Sequence, residues 1–297
     1  MMQKIIPFLW FDNNAEEAVN FYTSVFKNSK IGFVSRYDET SAKVANRPVG
    51  SVLTIDFILD GMNFGALNGG PIFKFTPAIS FMVHCKTSLE VDYFWKRFSD
   101  GGKILMPLDK YPFSERYGWL EDKFGVSWQF IFSDSNKGIV PSLMFTQKQA
   151  GKAKEALTLY TSLIKDSKID FLLPYEESEK EIPGAHKYVE FTLGKQKFVA
   201  MDSSMNHLFS FTHAISFLVN CDDQKEIDYL WENLSSGGSK EPCGWLLDKY
   251  GVSWQIVPKN LRQMLQNSDP KKAKAVSCVL FTMQKLDEKK LTDAFNK

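Results

Sequence analysis

Residues 75–102 read FTPAISFMVHCKTSLEVDYFWKRFSDGG, and residues 211–238 read FTHAISFLVNCDDQKEIDYLWENLSSGG. The two align without a gap and agree at 15 of 28 positions, so the chain carries an internal repeat. A second block follows in each copy, GWLEDKFGVSWQ at 118–129 and GWLLDKYGVSWQ at 244–255, with 10 of 12 positions identical. The halves also open alike, Ile5-Ile6-Pro7-Phe8-Leu9 against Ile139-Val140-Pro141-Ser142-Leu143. What differs is the spacing between the blocks: fifteen residues at 103–117, only five at 239–243. Ser133-Asp134-Ser135-Asn136-Lys137-Gly138 is a polar, turn-forming cluster that suits a linker. The expected organisation is a first domain over 1–135, a homologous second domain over 138–258, and a helical tail over 259–297.

Each half reads as a strand, a helix and three strands, twice over. Ile5–Phe11 is an apolar run of strand length, and Asp12-Asn13-Asn14 supplies helix-capping candidates, with Glu17 three residues after Asn14. Ala18, Tyr22, Val25 and Phe26 then fall on one helix face. Strands are expected at 31–37 and 52–59, and Asp60-Gly61 signals a tight hairpin into 63–68. The cycle restarts at 78–83. Thr87-x-x-Glu90 has capping-box form, Val91, Phe94, Trp95 and Phe98 make the helix face, and Gly101-Gly102 ends it. In the second half Asp223-x-x-Glu226 opens the matching helix, whose face is Ile227, Leu230, Trp231 and Leu234. In the tail, Ser268-Asp269-Pro270 opens a helix with Ala273, Val276, Leu280 and Met283 on one side.

Composition narrows the function classes. With 44% hydrophobic and 24% charged residues over 297 positions, the chain has the profile of an ordinary globular protein, long enough for two cores. Lys+Arg 36 against Asp+Glu 35 gives a net charge of +1, which removes the electrostatic footprint of a nucleic-acid binder. No apolar run reaches membrane-spanning length, and MMQKIIPFLWFDNN lacks the apolar core of a signal peptide. Cys85, Cys221, Cys243 and Cys278 show no C-x-x-C spacing and read as reduced thiols, which places the chain in the cytoplasm.

These motifs resemble the vicinal oxygen chelate superfamily, which holds glyoxalase I, bleomycin-resistance proteins and extradiol dioxygenases. The resemblance is to its PhnB-like, demethylubiquinone-methyltransferase-like branch. It is carried by Pro7-Phe8-Leu9-Trp10-Phe11, Ala15-Glu16-Glu17-Ala18, Phe21-Tyr22, Glu90-Val91-Asp92, Trp95, Gly101-Gly102 and above all the doubled GWLxDKxGVSWQ block. It implies an α+β fold of paired βαβββ modules, four in all, whose curved sheets enclose a cavity. Single-copy relatives commonly dimerise, so the chain is similar to a fused pseudo-dimer, with further homodimerisation left open.

Many members of that superfamily bind a divalent metal through His, Gln and Glu on inward strand positions. Carried over by position, this chain offers Ile5, Ala66, Ala78 and Gln129 in one half, and Ile139, Ala200, Ala214 and Gln255 in the other. Six of these eight have no donor atom, and His213 beside Ala214 is the one exception among their neighbours. No metal and no cofactor is therefore expected. The methyltransferase label fares no better: Gly69-Gly70-Pro71 is the one dense glycine cluster between elements, and Phe73-Lys74-Phe75 follows it rather than a helix.

A small-molecule ligand in an aromatic cavity is the expected partner. Gln129 and Gln255 point inward by strand parity and by family position, where an amide either orients a polar ligand or satisfies nearby backbone groups. Ser80 and Ser216 share that parity and, without an adjacent base, read as hydrogen-bonding groups. Tyr111 and Arg116, in the longer 103–117 segment, suit a planar or anionic ligand at the cavity mouth, or else form a solvated hairpin. Cys243 stands where the first half has Tyr117, with Lys240 and Glu241 close in sequence. Trp128 and Trp254 alternate with the glutamines and belong on the packed face, and Asp122 and Asp248 read as turn residues. The function expected is metal-free small-molecule binding; the alternative is a superfamily enzyme of lyase, isomerase or dioxygenase type.

Overall fold

The structure, a computed structural model, describes residues 2–135 and 137–297; Asn136, in the expected linker, and Met1 lie outside the described residues. The first repeat supplies β1 (Ile5–Phe11), α1 (Ala15–Val25), β2 (Lys30–Arg36), α2 (Glu39–Ala45), β3 (Val52–Leu59) and β4 (Met62–Asn68). Then come β5 (Ile79–Cys85), α3 (Ser88–Phe98), β6 (Lys103–Tyr111), β7 (Ser114–Glu121) and β8 (Ser127–Phe132). The second repeat gives β9 (Ile139–Phe145), α4 (Ala153–Leu163), β10 (Lys168–Pro174), β11 (His186–Leu193) and β12 (Gln196–Asp202). It continues with β13 (Ile215–Cys221), α5 (Gln224–Leu234), β14 (Ser239–Lys240), β15 (Trp245–Leu247) and β16 (Ser253–Pro258). The tail folds as α6 (Leu261–Leu265), α7 (Pro270–Leu280) and α8 (Glu288–Phe295). Among the described residues helices alternate with mostly antiparallel strands, so the α+β class is observed.

The chain divides into two compact units, residues 9–214 and residues 1–8 with 215–297. One whole sheet, in the order β10-β11-β12-β9-β5-β8-β7-β6, lies in the larger unit. Its centre is the antiparallel pair β5–β9, with Ser80 opposite Ser142 and Met82 opposite Val140, so one module of each repeat contributes to it. In the smaller unit the order is β14-β15-β16-β13, with β13 parallel to β16; in the larger unit β2, β3 and β4 form a further antiparallel set.

Local chemistry explains most of the elements. Asp60 and Gly61 both have positive φ, 46° and 80°, the conformation of a two-residue hairpin whose twist matches its strands. Thr87 Oγ1 accepts from Glu90 N at 3.1 Å, and Asp223 Oδ1 from Glu226 N at 2.9 Å, so both expected caps form. The cap of α1 differs from expectation: Asn14 occupies the position without a side-chain bond, and Asn68 Oδ1 on β4 accepts from Ala15 N instead. The short α2 was not anticipated; Asp38 and Ser41 cap it reciprocally. In the tail α7 ends at Leu280, so Met283 lies beyond it, and α8 begins separately at an Asp287 cap.

The repeated GWLxDKxGVSWQ block closes on its own aspartate. Asp122 Oδ1 accepts from Phe124 N (2.8 Å) and Val126 N (3.0 Å), while Oδ2 accepts from Trp128 Nε1 (2.9 Å) and Tyr22 Oη (2.7 Å). Asp248 does the same with Tyr250 N, Val252 N and Trp254 Nε1. Trp128, fully buried, packs against Tyr22 and Phe26 of the α1 region, Phe81 of β5 and Phe98 of α3 at 5.1–5.6 Å. Burial outweighs the four donors and pushes the Asp122 carboxyl up to about 6.

The folded state therefore binds this proton more tightly than the unfolded chain, and the contribution is full below about pH 4 and declines as the pH rises through 6. Asp122→Asn, which turns an N–H group toward donors, is expected to cost about 1–3 kcal/mol. Urea unfolding should show a larger loss at pH 4.5 than at pH 7, because asparagine does not titrate. An equal loss at both values contradicts the assignment.

Candidate functional site

Strand alternation gives the larger unit's whole sheet two faces. Phe81, Trp128 and Phe130 face α3, whereas Ser80, Met82 and His84 on β5 and Gln129 and Ile131 on β8 face the other way. Met82, Val140 and Val199 form the apolar floor of that second face, with half-buried Ile131 and Tyr188 against them.

At one end lies a buried polar chain. Tyr117 Oη donates to Gln129 Oε1 at 2.8 Å, and Gln129 Nε2 donates to Ser80 Oγ at 2.7 Å and reaches Ser142 Oγ at 3.4 Å. Burial first, then the neighbouring Tyr111, raise the Tyr117 hydroxyl well above its ordinary value, so it stays a neutral donor. The Gln129 amide is thereby fixed in orientation, with the second lone pair of Oε1 as its remaining capacity.

The other end holds titratable groups that the sequence reading passed over. His84 Nδ1 lies 3.0 Å from Ser133 Oγ and 3.1 Å from Ser135 Oγ, while its Nε2 is buried without a partner among the described residues. Burial, then the charge of Lys137, lower the imidazole to about 4, so His84 is neutral at pH 7. Glu190 accepts from Lys137 Nζ and, at 3.0 Å, from Tyr188 Oη. Burial works against its charge, but these two donors outweigh it and hold the carboxyl below its ordinary value. The one available signal was parity: His84 and Ser80 are four apart on one strand.

The remaining candidates are distributed as follows. Tyr111 stacks on Phe113 (5.7 Å) and meets Tyr117 edge-on (5.5 Å), so the 103–117 segment is a hairpin whose aromatic tip reaches the Gln129 chain. Arg116 is not brought there; its Nε donates to Asp92 Oδ1 on α3 at 2.8 Å. In the smaller unit Gln255 Nε2 donates to Ser216 Oγ at 2.9 Å. Cys243 Sγ contacts Leu280 O at 3.7 Å, and burial raises the thiol, which leaves it poorly reactive. An open cleft of about 550 Å³ on the larger unit, lined by Trp10, Phe73, Lys103, Lys123 and Phe124 among others, shares no residue with the Gln129 chain.

Neither implied group fits these residues. Ile5, Ala66, Ala78, Ala200 and Ala214 are fully buried and offer no donor, which leaves Gln129 as the one donor of its half's set, a neutral amide without a charged companion. His213 lies flat on Phe73 at 4.4 Å, and among the described residues no cluster of His, Cys, Asp and Glu could hold a metal ion. As for a nucleotide-type methyl donor, a Cβ on Gly69 would stand 2.2 Å from the Trp10 ring, and Trp10 Nε1 donates to Gly70 O at 2.9 Å. The glycine cluster accommodates the chain's own indole, which takes the space a donor would need.

If the Tyr117–Gln129 bond is as strong as its burial suggests, Tyr117→Phe and Gln129→Leu should not be additive. A double-mutant cycle by urea unfolding is expected to give a coupling of about 0.5–3 kcal/mol. Additive losses would mean that the two side chains do not depend on each other.

The sequence family described as 3-demethylubiquinone-9 3-methyltransferase matches residues 3–131 and again residues 137–257. A PhnB protein from Bacillus cereus carrying the same description is 45% identical over 44% of this chain and 100% of its own, with a TM-score of 0.41. Glyoxalase I from Zea mays is 11% identical, covers 87% of this chain and 92% of its own, and has a TM-score of 0.54. A Bacillus subtilis protein described as a dioxygenase is 8% identical over 85% of this chain and 86% of its own, with a TM-score of 0.50. No curated protein gives a significant match. The doubled family match leads to one conclusion: this chain is a duplicated member of the PhnB-like, 3-demethylubiquinone-9 3-methyltransferase family, with a fold like that of glyoxalase I.

Proposed function

We propose that this protein binds a small organic molecule, without a metal, on the Gln129 face of the larger unit's sheet. The observation that carries the reading is the composition of that face. An oriented amide stands at one end, an apolar floor of Met82, Val140 and Val199 in the middle, and a neutral imidazole with an unused Nε2 at the other. Such a surface matches a ligand with an apolar body and two uncharged hydrogen-bonding groups. His84, Tyr188 and Glu190 join Gln129, Ser80 and Tyr117 as its polar contacts; Arg116 is assigned to α3. The proposal includes a cytoplasmic setting, which four free thiols support. Among the described residues no helix is long and apolar enough to cross a membrane.

The second reading is a superfamily enzyme of lyase, isomerase or dioxygenase type. It draws on His84, whose neutral Nε2 could accept a proton from a bound substrate, although an imidazole held near 4 is a weak base at pH 7. Methyl transfer is disfavoured because the Trp10 ring packs directly on Gly69, the place a glycine-rich turn would leave open for a donor.

Two measurements separate these readings. In chelator-treated protein, a bound ion at a hundred times its dissociation constant adds about 2.7 kcal/mol. No shift in thermal midpoint is expected with Mg²⁺, Mn²⁺, Fe²⁺, Co²⁺, Ni²⁺ or Zn²⁺, and an ion-selective shift would overturn the metal-free assignment. Met144 on β9 and Met201 on β12 are paired in register and share the face of Ser142, so with methyl-labelled methionine NMR screening of a metabolite library should give hits that move Met82, Met144 and Met201, three of the ten methionines. Hits that leave those three unmoved place the site elsewhere.

A further inference from the structure

The two repeats differ most at one point, the fifteen residues of 103–117 against the five of 239–243. In the larger unit the long segment builds the β6–β7 hairpin, and Tyr111, Phe113 and Tyr117 pack together at 5.0–5.7 Å at its tip. In the smaller unit β14 has two residues, and Cys243 takes the position of Tyr117 with a left-handed φ of 61°.

What stands beside Cys243 is the tail. Cys243 N donates to Met283 O and Gly244 N to Gln284 O, both at 2.8 Å. A Cβ on Gly244 would come within 3.2 Å of the Leu286 side chain. Gln224 of α5 fastens the same stretch, donating to Leu286 O at 3.0 Å and accepting from Glu288 N at 2.7 Å; Lys285 Nζ meets Asp228 Oδ1 at 2.8 Å.

The apolar contacts show which face is covered. Met283, Leu286, Leu291 and Val276 form one cluster with Val257 on β16, and half-buried Leu218 on β13 packs against it. By strand parity Leu218 shares a face with Ser216, and Val257 with Gln255. They are the repeat equivalents of Met82 and Ile131, the floor of the Gln129 face. The Gln255–Ser216 pair is kept, but two other polar groups of that face are replaced. Phe8, edge-on to Trp245 at 6.4 Å, stands at the equivalent of Ser142. Asn220 stands at that of His84, its Nδ2 donating to Gln3 O at 2.9 Å.

We infer that the C-terminal segment 259–297 is the resident occupant of the second face. It substitutes for the missing hairpin tip and fills the ground a ligand would need, so that the duplicated chain presents one binding face rather than two. The inference concerns the smaller unit and stands whether or not the Gln129 face binds a ligand.

The test uses the full chain in a Cys278→Ser background, which removes the exposed thiol. Leu218→Cys and Met82→Cys report on the two equivalent positions through their own rates of alkylation by iodoacetamide, read peptide by peptide so that Cys243 beside the tail is counted separately. Loosening the tail with Met283→Ala and Leu286→Ala should speed labelling of Leu218→Cys at least tenfold and leave Met82→Cys within twofold. An unchanged Leu218→Cys rate, with faster amide exchange across 270–295 confirming that the tail is loose, overturns the inference. Should the double variant fail to fold, hydrogen exchange on the unaltered chain decides. The Cys243 and Gly244 amides are expected to exchange together with the helices of the tail, and protection that outlasts the tail's own would refute the contact.

Discussion

A buried carboxylate organises each repeat. Asp122 collects a tyrosine hydroxyl, an indole N–H and two backbone N–H groups in one place, which joins α1, the β7–β8 turn and the helix-facing side of β8. Once Trp128 is fixed against the helices, strand alternation leaves Gln129 no choice of direction. The side chain that looks functional thus owes its position to one that is purely structural. The same constraint acts in the second copy through Asp248 and Trp254, which is why the two GWLxDKxGVSWQ blocks stay alike while the faces beside them have diverged.

That divergence has a physical direction. One face keeps serines, tyrosines and an imidazole around its amide; the other has Phe8, Leu218 and Val257 and is covered by aliphatic side chains of the tail. Covering an apolar face with the chain's own helices removes a surface that would otherwise invite association. It also relaxes any requirement that the second copy remain competent to bind.

Most of the architecture was legible because its signals are local. The period-2 and period-3.6 patterns, the caps at Thr87 and Asp223 and the Asp60-Gly61 turn all appear where the chain suggested them. Non-local effects were not legible. Asn68 caps α1 from another strand, and Arg116 turns to Asp92 although its neighbour Tyr117 points into the site. His84 carries no local signal, because its companions, Lys137 and Glu190, lie 53 and 106 positions further on. Sheet pairing, not sequence distance, brings them together.

The pairing of the first strand carries a cost for synthesis. Asn220 N donates to Lys4 O, so β1 meets a partner that leaves the ribosome more than two hundred residues later. At roughly 5–20 residues per second, Ile5–Phe11 waits on the order of ten seconds or more with its apolar edge unpaired. During translation that edge stays open until β13 follows, and the fold is completed only after the C-terminal quarter of the chain has emerged.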